Sequence, residues 1–392
     1  MKYNFDEIID RHNTDCIKID QCEEVFGTKD VIPLWIADMD FKTPDFVFDA
    51  IDKRNKYHIL GYSLIPKDFN STFKNWVKKL HNWDIKEEWL GFLAGIVPGL
   101  AFSVQIYSDP GDDIIIQTPV YPPFSRVVTN NKRNLISNPV KTINGHFEMD
   151  FEDLERKITS KTRMLILCNP HNPGGRMWEA GTLKKLADIC YKNNIVVVSD
   201  EIHADMGLWG REHIPFASVS KEAAEISVTF MAPSKSFNMP GVLTSVFIIS
   251  NPSLKRKFEV FLMRNEIMHG SIYAYASTIA VYEKGDEWRK QMLEYVQKNI
   301  EFVIDFFEHN IPQIKVMKPE ASFLLWLNCE GLGLRSEEIP EFFVKKAGLG
   351  LNDGRTFGEG GENCMRLNVA CPKSILEKAL NNLKLAIENE YV

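Results

Sequence analysis

The 392-residue chain is predicted to be an α/β protein: a large domain with a mainly parallel sheet between helices, plus a smaller α+β domain. Three observations point there. Between about residues 45 and 285, short apolar runs alternate with longer amphipathic segments, as strands joined by crossover helices do. Several of the runs are continuous Ile, Val and Leu, as strands covered on both faces require. After residue 286 the pattern changes to a long helix, two isolated strands and a closing helix.

The strands expected in the large domain are Asp113 to Gln117, Arg163 to Cys168, Ile195 to Ser199, Ser227 to Met231 and Thr244 to Ser250. Gly91 to Tyr107, interrupted by Pro98 and three glycines, reads as a loop leading into a buried helix and is short for a membrane span. Glu179 to Asn194 places Leu183, Leu186, Ala187 and Cys190 at helical spacing. Beyond Trp288 a helical pattern runs through Phe307. It is followed by strands at Phe323 to Leu327 and Met365 to Val369, and by an amphipathic helix from Ser374 to Glu390. The expected division is therefore 45–285 for the large domain, with 1–44 and 286–392 together forming the small one.

Composition narrows the function. A formal charge of −7 argues against nucleic acid as the main partner, because phosphate binding needs an excess of Lys and Arg. Seven scattered cysteines, without a CxxC pair or a zinc-spaced His cluster, read as reduced thiols of a cytoplasmic protein and not as a metal site. The first residues lack the apolar core of a signal peptide, and no membrane association is expected.

The chemistry is concentrated where strands end. Lys235 lies in Ala232-Pro233-Ser234-Lys235-Ser236-Phe237-Asn238, after one apolar run; Asp200, followed by Glu201, Ile202 and His203, ends another. Open α/β sheets bind ligands at the carboxyl ends of their strands, so an amine and an acid can converge on one crevice. Pyridoxal 5'-phosphate chemistry needs that pair: an amine to bond the cofactor aldehyde and an anion to hold the pyridine nitrogen protonated. Asn172, in Asn169-Pro170-His171-Asn172-Pro173-Gly174-Gly175, follows a third strand on a turn stiffened by two prolines and is able to donate to a phenolate oxygen. In isolation an Asn-Pro pair is only a turn. In Ala94-Gly95-Ile96-Val97-Pro98-Gly99-Leu100, glycines precede an apolar helix-like run, and exposed N–H groups at such a helix start suit a phosphate, although neither a Walker lysine nor a complete GxGxxG is present. Tyr121 follows a fourth strand and either lies against a pyridine face or fills the core. Arg366 is flanked by apolar residues and needs an anion, which is either a substrate carboxylate or an internal acid. His203 contacts the cofactor or merely packs.

The ordered set, from glycine turn through Tyr121, Asn172, Asp200 with His203, Ser234-Lys235 and Arg366, resembles the fold type I pyridoxal-phosphate enzymes of the aminotransferase class I/II superfamily along nearly the whole chain. Within it, Pro33-Leu34-Trp35-Ile36-Ala37-Asp38-Met39-Asp40-Phe41, Ser199-Asp200-Glu201-Ile202-His203-Ala204-Asp205 and the Lys235 loop resemble the MalY/PatB group of cystathionine β-lyases and cysteine-S-conjugate lyases. The resemblance implies a PLP-dependent transferase-like fold in which Lys235 bonds the cofactor, Asp200 pairs with its ring nitrogen, Tyr121 stacks on the ring and Asn172 meets the phenolate oxygen. It also implies that Ser234 and the backbone of Ile96 and Val97 hold the phosphate. Arg366, helped by the backbone at Ile36 and Ala37, is implied to bind the substrate carboxylate. Tyr62 matches a tyrosine that such enzymes extend to a neighbouring subunit's phosphate, which implies a homodimer with shared sites. Two departures from the wider superfamily fit the lyase group better: His203 stands where many relatives carry tyrosine, and Ser236 to Leu254 contains no arginine or lysine. A third, Pro122 where some relatives have a second tyrosine, leaves the proton donor to the departing sulfur open.

The function implied is a carbon–sulfur β-lyase acting on L-cystathionine, cysteine or S-substituted cysteines. An amino-acid aminotransferase on the same scaffold is the nearest alternative, since fold alone does not separate them. A pyridoxal-phosphate-binding regulator is a third, for which the approximately forty residues before the large domain are too few and insufficiently basic to form a DNA-reading domain.

Overall fold

A computed structural model describes residues 2–390 of the chain. Its central sheet has seven strands: β1 (Leu90–Leu93), β2 (Asp113–Ile116), β3 (Asn134–Ser137), β4 (Thr162–Cys168), β5 (Val196–Asp200), β6 (Ser227–Met231) and β7 (Ser245–Ile248). They lie in the order β1-β7-β6-β5-β4-β2-β3, and only β7 runs antiparallel to its neighbours. The sheet is thus mainly parallel, as expected.

The unbroken apolar runs are explained by what covers each face. In β2, Ile114 and Ile116 enter one core and Ile115 the other; in β4, Met164 and Ile166 are separated in the same way from Leu165 and Leu167. Side chains alternate across a strand, so a strand sandwiched between helices needs apolar residues at every position. The first core is closed by α1 (Ile96–Tyr107), which buries Ile96, Leu100 and Val104. The second is closed by α2 (Ala180–Lys192), whose Leu183, Leu186, Ala187 and Cys190 form the expected stripe.

Two features of the large sheet differ from expectation. The segment read as a loop before α1 contains β1, paired with β7 from Leu90 opposite Ile248 to Leu93 opposite Ser245. Gly91 hides this strand in the sequence, and the packing explains the glycine: a Cβ there would stand 2.0 Å from the ring of Phe247. Strand β3, at the sheet edge, has no apolar run at all, because Asn134 and Leu135 are exposed.

A second sheet of four strands, β8 (Lys315–Met317), β9 (Leu324–Asn328), β10 (Asn352–Asp353) and β11 (Cys364–Asn368), lies in the order β8-β9-β11-β10 and is antiparallel throughout. The long helix α3 (Asp286–Asn310) and the last helix α4 (Lys373–Glu390) pack together and bury Met292, Val296, Ile300, Leu376, Leu380 and Leu383 in one core with β9 and β11. The N-terminal segment joins this assembly: Ile32–Pro33 pairs in parallel with Leu349–Gly350.

Candidate active site

Strands β4, β5 and β6 end side by side, with Cys168 in register with Asp200 and Asp200 with Phe230. The loops that leave these ends close a cavity of about 320 Å³. Lys235 and Ser234 line it from the loop after β6, Asp200 and His203 from the end of β5, and Asn172 from the turn after β4. Tyr121 lines it from the loop after β2, and Ile96 and Val97 from the start of α1. Ala37 faces it from the N-terminal segment. Lys235 Nζ donates to the carbonyl of Ala37, 198 positions away in the chain.

The charged groups here are buried or, for Lys235, half-buried, and poorly compensated. Burial pushes Asp200 up to about 7, with the neighbouring Glu201 charge adding to the effect and the Ile202 N–H and Lys235 opposing it. Among the described residues, the one hydrogen bond that its carboxylate accepts comes from Ile202 N, at 3.1 Å. Burial lowers Lys235 to about 8, against the attraction of Asp38 and Asp200. His203 is driven down to about 3 by burial and by the Lys235 and Arg366 charges, so its imidazole is neutral, and its Nδ1 is buried without a partner. Burial also holds the Tyr121 phenol above its ordinary value.

Arg366, on β11, resolves an alternative that the sequence left open. Its guanidinium is buried, yet among the described residues no carboxylate lies within salt-bridge distance of it. Its partners are neutral: Asn172 Oδ1 at 3.0 Å, Trp35 O at 2.9 Å and Asn352 Oδ1 at 2.6 Å. Nε has no partner, and burial brings the group down to about 10. The internal salt bridge is therefore absent, and a buried cation remains that an incoming anion would stabilise. The same contact turns the Asn172 amide oxygen toward Arg366 and leaves its NH2 group free to donate.

The start of α1 offers a further anion site. Gly95, at φ +113°, permits the tight entry from β1, and no side chain caps the first turn. The first N–H groups of a helix have no intrahelical acceptor and lie at its positive end.

The chain as a whole is similar to known proteins. Residues 29–383 match the family model described as aminotransferase class I and II. The chain belongs to the aminotransferase class I and II family. Among its relatives in this family, cystathionine beta-lyase PatB of Bacillus subtilis is 38% identical over 385 residues, covering 98% of this chain and all of the relative. Cystalysin from Treponema denticola, solved with a pyridoxal 5'-phosphate cofactor, superposes with a TM-score of 0.96 at 33% identity over the full length of both chains. A PLP-bound putative aminotransferase from Clostridium difficile 630 gives the same TM-score at 42% identity, over 98% of this chain and 100% of that one.

Three residues assigned to the site of this family member are outside the lining of the cavity: Tyr62, Ile36 and Arg366, the last reaching it only through its hydrogen bond to Asn172. Tyr62 is fully exposed at 111%, on a segment where Tyr57, Ile59, Leu60 and Leu64 are exposed too. Ile36 does not line the cavity; its carbonyl accepts from Asn368 Nδ2 at 2.7 Å. The structure also adds residues that the sequence did not single out. Asn238 accepts from Met39 N and donates to Met39 O and Phe41 O, binding the lysine loop to the N-terminal strap. Asn368 holds Ile36 O and Asp38 O from β11. Cys168 lines the cavity, and its sulfur accepts from Asn172 N at 3.3 Å. Asn238 belongs to the lysine loop and Asn368 to the predicted strand from Met365 to Val369, but an amide's partners are fixed only once distant segments meet.

Among the described residues, no helix is long and apolar enough to cross a membrane and no cluster is suited to a metal ion.

Proposed function

We propose that the protein is a pyridoxal-phosphate-dependent carbon–sulfur β-lyase that converts L-cystathionine, cysteine or another S-substituted cysteine, with water, to pyruvate, ammonia and a thiol. The observation that carries this reading is the convergence on one cavity of a half-buried amine and a buried carboxylate, with a buried guanidinium hydrogen-bonded to Asn172 in its wall, none of the three in a salt bridge among the described residues. The cofactor would match these groups in charge and chemistry: a ring nitrogen for Asp200, an aldehyde for Lys235 and a phosphate for the start of α1. When bound, pyridoxal phosphate supplies a protonated ring that withdraws electrons from the substrate Cα.

The chain's own residues do the rest. Lys235, at about 8, is an effective base near neutral pH and takes the Cα proton. Asp200 would hold the proton on the ring nitrogen, Tyr121 would face the ring, and Asn172 would donate to the phenolate oxygen. Ile96 and Val97 N–H with Ser234 would hold the phosphate, and His203 would sit nearby as a neutral group. Arg366, with the backbone at Ile36 and Ala37, grips the substrate carboxylate and fixes the angle at which Cα presents its proton.

The boundaries assigned above, 45–285 against 1–44 with 286–392, separate the sheet that carries Asp200 and Lys235 from the one that carries Arg366, so the active site lies between two units. The exposed arm carrying Tyr62 supports a homodimer in which this tyrosine reaches the partner's phosphate. Seven free cysteines suit a cytoplasmic location.

Purified protein supplied with L-cystathionine and no keto acid should release pyruvate through many turnovers. A single turnover that stops with the cofactor in its aminated form would replace this reading with transamination.

A further inference from the structure

Behind Asp200, on the side of its loop away from the cavity, two carboxylates and two histidines are buried together. Glu201 has no exposed side-chain surface. It accepts from Ser199 Oγ at 2.8 Å, from Phe216 N at 2.9 Å and pairs with His213 Nε2 at 2.7 Å. Four residues on, Asp205 accepts from Trp76 Nε1 at 3.1 Å and meets His81 Nε2 at 2.9 Å. The two imidazoles touch edge to face, 5.3 Å between centroids. Each keeps Nδ1 buried without a partner, so each donates through Nε2 into its own carboxylate.

The loop therefore has two faces. Asp200 and His203 point into the cavity, while Glu201 and Asp205 point to the rear, and neither rear residue lines the cavity. Asp200 accepts a single hydrogen bond, whereas Glu201 accepts three, so the better-held neighbour fixes where the poorly held one sits. The main chain ties the loop at the same point, through Glu201 N to Phe230 O. Burying two acids with two histidines costs more than an apolar filling of the same space unless the charge is used.

We propose that Glu201, held by His213, is a positioning residue that fixes the Asp200 carboxylate at the end of the cavity and adds a second negative charge behind it, with Asp205 and His81 anchoring the far end of the same loop. This rests on the reading of Asp200 as the partner of a protonated ring nitrogen. The groups facing Glu201 are His213 directly and His81, Asp205 and Asp200 beyond it, with Arg289 closing the far side through Asp205 O. The influence of Glu201 on Asp200 has the sign required: it strengthens the hold of that end of the cavity on a proton.

Glu201→Gln tests the charge, because its amide oxygen can still accept from Ser199 and Phe216 while its NH2 meets His213 in the other tautomer. Relative to the parent, dialysis of the cofactor-stripped protein should show weaker pyridoxal phosphate binding, and the absorbance of the bound cofactor should titrate at a different pH. With L-cystathionine, kcat should fall by about ten- to a hundredfold, with KM within about threefold. His213→Gln, which retains an N–H donor for Glu201, should keep most of the activity that His213→Leu loses, a comparison that stands even if the Glu201 variant fails to fold. Folded variants with parental cofactor affinity, absorbance titration and kcat, or a loss confined to KM, would overturn the proposal while leaving the lyase reading intact. A parent that takes up no cofactor would overturn both.

Discussion

Two groups of buried charge lie on opposite sides of the N-terminal strap, residues 35–41, and they are built on opposite principles. On the outer side, Arg11 and Lys18 meet Asp38 and Asp40 at 2.6 to 2.8 Å, with the Lys18 side chain wholly enclosed. On the inner side, Asp200 and Arg366 are enclosed as well and Lys235 is half-buried, and among the described residues none of the three has a salt bridge. The strap separates them by a single residue: Ala37 offers its carbonyl to Lys235, and Asp38 offers its carboxylate to Arg11. Buried charges in a structural role come paired, because desolvation must be offset within the fold. Charges left unpaired mark where a ligand completes the set.

The largest test of that contrast is Lys235→Ala. It should lower turnover by about a thousandfold or more, as loss of a positioned base does, and should abolish cofactor attachment that borohydride fixes, read by mass spectrometry. Attachment retained at another lysine would move the site. Next come two matched cation deletions. Arg366→Ala removes no ion pair, so it should raise KM for L-cystathionine by about ten- to a hundredfold, the equivalent of one or two charge-assisted hydrogen bonds, with a modest effect on unfolding. Lys18→Ala leaves Asp40 short of a partner in the paired group and should cost about 3 kcal/mol in urea unfolding, with KM changed far less. Equal profiles for the two variants would erase the distinction.

The sequence disclosed the inner group better than the outer one, for a physical reason. Lys235, Asp200 and Asn172 each follow a continuous apolar strand, and a parallel sheet aligns its strand ends, so one-dimensional order already implied convergence. Arg366 was readable as a buried cation but not as an unpaired one, because its neutral partners come from residues 35, 172 and 352. Arg11 and Lys18 carried no signal: a charged residue in a polar segment reads as solvated until the strap is seen to lie across it. The four-residue strand β1 was hidden by Gly91, whose missing side chain makes room for Phe247. Glu201 and Asp205 stood in a quoted motif, yet only the loop's conformation turns them away from Asp200 and His203.

Stability against pH gives a smaller and more specific test. In the cofactor-free protein Asp200 titrates near 7 instead of its ordinary value of 3.8, so the folded state holds its proton more tightly than the unfolded chain. The associated stability is fully present below about pH 4 and is lost as pH rises through 7, in total on the order of 4 kcal/mol. Lys235, lowered from 10.5 to about 8, has the opposite dependence: its contribution is present above about 10.5 and lost as pH falls through 8. The cofactor-free protein bears both costs between pH 7 and 8. Asp200→Asn should therefore flatten the decline between about pH 4 and 7 in urea unfolding, even as it weakens cofactor binding. A decline of unchanged size in the variant would assign the titration elsewhere.

The smallest effect concerns a third region, the exposed arm with Tyr62, where apolar side chains rather than charges are left without cover. Tyr62→Ala should weaken cofactor binding by about tenfold or less, the scale of one hydrogen bond lost from a phosphate, and would not by itself reveal whose phosphate is involved. Mixing it with Lys235→Ala does. If the arm crosses to a partner, each hybrid dimer contains one site with both defects and one with neither, so activity should exceed the sum of the two variants measured separately. If the arm serves its own chain, every site in the hybrid carries one defect and the mixture gains nothing. A gain would place the arm with the inner group, as an unpaired feature of one chain that the second chain completes.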